Sequence, residues 1–322
     1  MARTSRYAPD RGLTVRMTVT MFLLGLVFVA FVALIIGIMT AANASGAAIV
    51  LVALIFGGGT AIASLFFSDK IALAAAGAVE VTPQQAPELH GIVDRLCALA
   101  DMDKPRVAIA PTQMPNAFAT GRNSKNSVLC VTEGLLSPRL GLEKEELEGI
   151  LAHELSHVAH KDVQVMTVAS LLAITAGLLV RFAFYSELFG GGRRSNDQNA
   201  FPVILVILAV SAVVYAISFL LIRLLSRYRE LAADRSGALL TGQPSKLASA
   251  LQKVSSGMGR IPTEDLRTAQ PLNAFYFAPA MKLNAGASLS TLFSTHPSLE
   301  KRIEQLEKIQ RQLGQVTPGN PR

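Results

Sequence analysis

The sequence predicts a mainly α-helical, polytopic membrane protein with about four hydrophobic helices and a cytoplasmic domain holding a small antiparallel β-sheet, an α+β class. Three observations predict it. The 322 residues are 51% hydrophobic and only 16% charged, with mean hydropathy +0.40. Between Arg16 and Asp69, 52 consecutive positions lack Lys, Arg, His, Asp and Glu. Outside the apolar runs, helical periodicity alternates with short extended stretches set off by Pro, Gly, Asn and Ser.

The uncharged run is long enough for two helices of about 20 residues across a hydrocarbon layer of about 30 Å. The first span is placed near Met17 to Met39 and the second near Ala47 to Phe67, with Gly57-Gly58-Gly59 allowing close helix contact. The break falls at Thr40 to Gly46. Spans three and four run near Val163 to Phe184 and Phe201 to Arg223. A cleaved leader ending near Ala42-Asn43-Ala44 is the alternative for the first span, but a second span begins within a few residues, as in an uncleaved hairpin.

Arg3, Arg6, Arg11 and Arg16 precede the first span and Lys70 follows the second, so both ends of that hairpin are expected in the cytoplasm. Arg193 and Arg194 lie in the loop of the second hairpin, which leaves full or partial insertion open. A net charge of +7 and pI near 9.6 reflect cations flanking apolar spans, where anionic headgroups attract them, and no aromatic-interleaved basic stripe points to nucleic acid. Cys97 and Cys130 are expected as buried packing residues rather than a disulfide framework.

The chain therefore divides into a basic segment with a first hairpin (1–68), a first half of a polar domain (69–162), a second hairpin (163–225) and a second half (226–322). Pro87 to Leu99 reads as a helix packed through Leu89, Ile92, Val93 and Leu96. Arg106 to Ala110, Asn116 to Thr120 and Val128 to Thr132 read as strands of the antiparallel sheet, with a polar turn at Gly121 to Ser127. From about Leu142 to His160 a helix opens on Glu143, Glu145 and Glu146, which suit the positive end of its dipole. Leu147, Ile150, Leu151, Leu155 and Val158 form its inward stripe. A helix carrying Glu230, one from Pro244 to Ser255, and a charged one from Pro297 to Leu313 complete the set.

The chemistry is concentrated in His153-Glu154-Leu155-Ser156-His157. Residues four apart on a helix share a face, so both imidazoles can converge on one zinc ion. A catalytic zinc typically keeps three protein ligands and one open position, and Glu230 is the expected third. Asp234, one turn later, is expected to accept from a ligand imidazole and fix its tautomer. Glu154 would take a proton from the attacking water and pass it to the leaving amine. Imidazole donors favour zinc over calcium or magnesium, with cobalt or manganese as substitutes in vitro. His160 is expected at the surface or interface rather than on the metal.

The motif, Asn116-Ala117-Phe118-Ala119-Thr120-Gly121, Ser226-Arg227 with Glu230, Ala233-Asp234, and His296-Pro297 with Arg302-Ile303 resemble the HtpX family of membrane-integrated zinc metalloproteases over most of the chain. That resemblance implies a zincin-like catalytic domain with one zinc per chain on His153, His157 and Glu230, and Glu154 as acid/base. It further implies an endopeptidase for damaged or misassembled membrane proteins in the bacterial inner membrane, facing the cytoplasm. It also gives Asn116, Ala117, Phe118 and Ala119 a role as an edge strand that binds substrate backbone, a role an exposed strand can fill with little regard to sequence. His296 resembles a histidine near the cleft that stabilises the oxyanion; Thr295-His296-Pro297 also reads as a helix start, with capping or packing as its role. Phe275-Tyr276-Phe277 is expected as a packed loop. The competing readings are a prenylated-protein-type protease, which needs more spans, a zinc-stabilised scaffold, which has no use for Glu154, and a zinc transporter, which needs ionisable residues that spans one and two lack.

Overall fold

The structure is a computed structural model and describes residues 11–41, 59, 62, 66–67, 69–123, 125–170, 200–258 and 296–315. Two compact units emerge, one of residues 15–65 and 164–225, the other of residues 1–14, 66–163 and 226–322.

The first unit holds most of helix α1 (Arg11–Ala41). It also holds helical residues 164–170 and the apolar part of a long helix, Ala200–Thr241, labelled α4 below in chain order. Leu24, Phe31, Ala169 and Leu225 form its buried seam, with Met21, Phe28, Met166, Val210 and Val214 packed around them. The opposite faces stay apolar: Phe22, Leu26, Val29, Val213, Tyr215 and Leu220 are all exposed. Arg11–Phe31 and Leu208–Thr241 are long and apolar enough to cross a bilayer, with mean hydropathy 2.0 and 2.3 over their most apolar stretch. Two hydroxyls along them bond within the helix, Thr20 Oγ1 donating to Arg16 O at 2.8 Å and Ser218 Oγ to Val214 O at 2.6 Å. The first and fourth expected spans thus fall on helices. The second span beyond scattered residues, the third beyond residue 170, the Ala42 to Ala44 site, the Arg193-Arg194 loop and Phe275-Tyr276-Phe277 lie outside the described residues.

The second unit is built on a four-stranded sheet of β1 (Val79–Glu80), β2 (Arg106–Ala110), β3 (Ala117–Asn123) and β4 (Asn126–Thr132), in the order β1-β2-β4-β3. The expected antiparallel sheet is corrected here: β1/β2 and β3/β4 are antiparallel, but β2 and β4 run parallel, so the sheet is mixed. The tight β3/β4 turn commits one edge of β4 to β3, and the six buried residues Ser127 to Thr132 mark β4 as a central strand that takes β2 on its other edge. The turn is also shorter than expected. Gly121, at φ +142°, lies so close to β4 that a Cβ would sit 2.2 Å from Asn126 O, and β3 continues past it through a register shift to Asn123.

Helix α2 (Pro87–Ala100) starts with Pro at its first turn and ends at Asp101 in the left-handed conformation. Helix α3 (Lys144–Ala159) opens with the Glu146 carboxylate accepting from Glu143 N–H at 2.7 Å. Helix α4 follows, then α5 (Pro244–Met258) and α6 (Leu299–Gln315). Helix α6 begins at Leu299 rather than at the expected Pro297, with Ser298 Oγ accepting from Lys301 N–H at 3.4 Å. Leu96, Leu129, Ile150, Leu151, Leu155, Leu247, Leu251 and Leu306 form the core beneath the sheet. Cys97 and Cys130 are free and buried, and burial pushes their thiols up to about 11 and about 12. They are packing residues.

Candidate metal centre

His153 and His157 lie one turn apart on α3, and Glu230 reaches them from α4. Nε2 of His157 is 3.3 Å from Nε2 of His153, and the Glu230 carboxylate oxygens are 3.6 Å from the first imidazole and 3.5 Å from the second. A tetrahedral ion with bonds of about 2.0–2.1 Å sets its ligand atoms about 3.3 Å apart. Two imidazoles and a carboxylate at these separations match that donor set in type and in span, so the residues present fit a zinc ion.

Each imidazole is held from behind. Nδ1 of His153 lies 2.9 Å from Asp234 Oδ1, and Asp234 is gripped by both Nε and Nη2 of Arg302 at 2.7 and 2.6 Å. Nδ1 of His157 pairs with Asp162 Oδ2 at 2.6 Å, and Arg229 Nη2 reaches the same oxygen at 3.0 Å. Both carboxylates turn an Nε2 toward the shared centre. Burial favours a neutral His153 ring, but Asp234 and Glu230 outweigh it and hold its pKa up at about 9. Burial would likewise push Asp162 up, yet Arg229 and His157 hold it well below the usual carboxylate range.

The sequence pattern misses Asp162 and Arg229. Asp162 stands five residues beyond His157, past the end of α3, where helical spacing no longer applies. It comes back beside the ring because Lys161 adopts φ +57° and reverses the chain. Gly237 is the other omission. A Cβ there would lie 2.8 Å from His153 N, so α4 crosses α3 in backbone contact at that point. Its spacing from Glu230 and Asp234, seven and three residues, is the helical signal that could have found it.

Glu154 is buried, and one carboxylate oxygen accepts from Ala119 N–H at 3.2 Å. Burial raises its pKa, countered in part by His153 and His157. β3 is the outer strand of the sheet. Asn116 precedes it, with its N–H on Thr132 Oγ1 at 2.9 Å and its carbonyl on Thr132 N–H at 3.0 Å. Alternation from that pair turns the main chain of Phe118 toward β4 and that of Ala117 and Ala119 away from it, but Asn116, Ala117 and Phe118 are buried, and of the four expected strand residues Ala119 alone is partly exposed. His296 is buried with Nδ1 3.0 Å from the Glu230 carboxylate. His160 is half-buried, 3.5 Å from Ser236 Oγ, and is not one of the convergent donors.

Residues 83–310 match the family model of peptidase family M48. The chain is 59% identical to Protease HtpX homolog 1 of Streptomyces coelicolor over 98% of its own length and 99% of that relative's. It is 49% identical to a Protease HtpX homolog of Moorella thermoacetica, over 94% and 96% of the two chains. With Protease HtpX homolog 2 of Methanosarcina mazei it shares 47% identity over 96% and 99%. Family match and near full-length identity agree with a paired-histidine centre and two helices fit for a bilayer, and the chain belongs to the HtpX family of membrane metallopeptidases within peptidase family M48.

Proposed function

We propose that this chain is a zinc-dependent, multi-pass endopeptidase of the bacterial cytoplasmic membrane, which cleaves unfolded or misassembled membrane proteins as part of quality control. The single observation that carries this reading is the spacing of the His153, His157 and Glu230 donors, 3.3 to 3.6 Å apart with Glu154 on the same helix. In it, 1–68 and 163–225 are hydrophobic hairpins, and 69–162 with 226–322 form the catalytic domain on the cytoplasmic side. The cations Arg3, Arg6, Arg11, Arg16 and Lys70 favour that orientation.

His153, His157 and Glu230 would hold one zinc ion, which when bound polarises the scissile carbonyl and makes water easier to deprotonate. Glu154 takes the proton of the attacking water and delivers it to the leaving amine nitrogen, and burial gives its carboxyl the proton affinity this needs. Asp234 with Arg302, and Asp162 with Arg229, keep the two rings in one tautomer and orientation. His296 braces the Glu230 carboxylate. The partly exposed stretch of β3 at Ala119, beside Glu154, would pair with the main chain of an extended substrate, a contact that selects unfolded segments over folded ones.

The test is cleavage of an unfolded protein by wild type and by Glu154→Gln, with metal content measured on both. The variant should keep about one zinc per chain and lose cleavage by 10²-fold or more. Equal cleavage by the two proteins would sink the mechanism.

A further inference from the structure

The N-terminal end of β3 leads through Pro115 into a cavity of about 510 Å³, within the size range of binding pockets. Its walls come from Pro115, from Ser137 and Arg139 after β4, and from Lys253, Ser256 and Gly257 on the last turns of α5. Among the described residues the lining carries two cations and no carboxylate. Lys253 Nζ is offset by Glu146 at 2.7 Å and also meets Gly141 O at 2.7 Å. Arg139 is exposed and forms no ion pair among the described residues. The Glu133 carboxylate accepts from the amide of Gln113, another lining residue, at 3.5 Å.

This cavity is distinct from the metal centre but in line with it. Ala119 N–H marks the level of Glu154, and Pro115 lies four residues upstream, about 13 Å away at the rise of an extended chain. A substrate antiparallel to β3, the geometry that gives the straighter hydrogen bonds, runs its C-terminal side toward Pro115. Resting on the proteolytic reading above, we propose that the Arg139 cavity is a substrate subsite that accepts an acidic side chain, Asp or Glu, three to four residues to the C-terminal side of the scissile bond. Ser137 and Ser256 add hydroxyls that can donate to the carboxylate, and Arg139 supplies the unspent charge.

The experiment uses the full chain in detergent micelles and internally quenched peptides built around a cleavage site mapped in an unfolded protein. One series carries Glu, Gln or Lys three or four residues after the scissile bond; a second carries the same residues at equal distance before it. In the first series kcat/KM should fall from Glu to Gln to Lys, by about 5-fold overall for a charge contact at a half-open site. It should flatten in Arg139→Ala and reverse in Arg139→Glu. No preference in the first series, a preference confined to the second, or an unchanged order in Arg139→Glu would overturn the subsite while leaving proteolysis standing. Failure of wild type to cut any peptide, or equal cutting by Glu154→Gln, would instead remove the reading on which it rests.

Discussion

Gly237 lies directly against the backbone of His153, so close that a Cβ on it would stand 2.8 Å from the His153 nitrogen and 3.1 Å from its Cα. The α4 helix can therefore present Glu230 and Asp234 to the imidazoles only at the distance that a missing side chain permits. Gly237→Ala should gain up to about 1 kcal/mol in helix propensity and lose about 1–3 kcal/mol or more to overpacking. The clash wins because backbone atoms cannot swing aside. Zinc per chain and thermal midpoint should both drop, and a variant matching wild type in both would show that the helices part without moving the ligands.

The two carboxylates behind the imidazoles should differ in what their loss does. Asp162→Asn frees a partner, Arg229, that keeps some access to solvent, so zinc affinity should fall about 10–100-fold with the fold intact. Asp234→Asn strands Arg302, which is 2% exposed, and leaving a buried charge uncompensated costs about 3–5 kcal/mol. Competition with a chelator of known affinity, beside a melting curve, separates the outcomes. Equal melting points for the two variants would contradict the assignment.

Metal removal offers a third check. A ligand bound only by the folded state stabilises it by about 2.7 kcal/mol at one hundred times its dissociation constant. Chelation should lower the melting point of wild type, and added zinc should restore it. Glu230→Ala should be insensitive to both treatments, and a chelator effect of wild-type size in that variant would exclude Glu230 as a ligand.

At the start of α3, burial alone would raise the Glu146 pKa, but hydrogen bonds from Lys253, Ser249 and the Glu143 N–H outweigh it and lower the value. A depressed folded pKa means the unfolded chain takes up the proton first on acidification. Its stabilisation is complete above the unfolded value of about 4.3 and is lost as pH falls through the folded one. Wild type should therefore melt above Glu146→Gln at pH 7, with the gap closing below about pH 4. A gap that is the same at both pH values would mean the carboxylate charge does not contribute.

Much of the centre was legible in the chain because it sits on helices. His153 and His157 share a face through a spacing of four, and Glu230, Asp234 and Gly237 share another. Periodicity also marks α2, α3 and α6, whose buried stripes meet in one core. The sheet was less legible. β1 is a two-residue strand with both residues exposed, so it carries no pattern, and the direction of β2 against β4 is a choice of neighbour that neither strand encodes alone.

By itself the sequence determined the two apolar helices found among the described residues, the paired imidazoles with their intervening carboxylate, and the family, because these depend on spacing within a few turns or on identity along the chain. Tertiary structure alone decided that Arg302 clamps Asp234 across 68 residues and that Lys161 turns Asp162 back onto His157. It also decided that the Ala119 N–H meets the Glu154 carboxylate. The reason is physical: hydrophobic period is written locally, whereas the partner of a buried charge is whichever opposite group the packed core brings within hydrogen-bond reach.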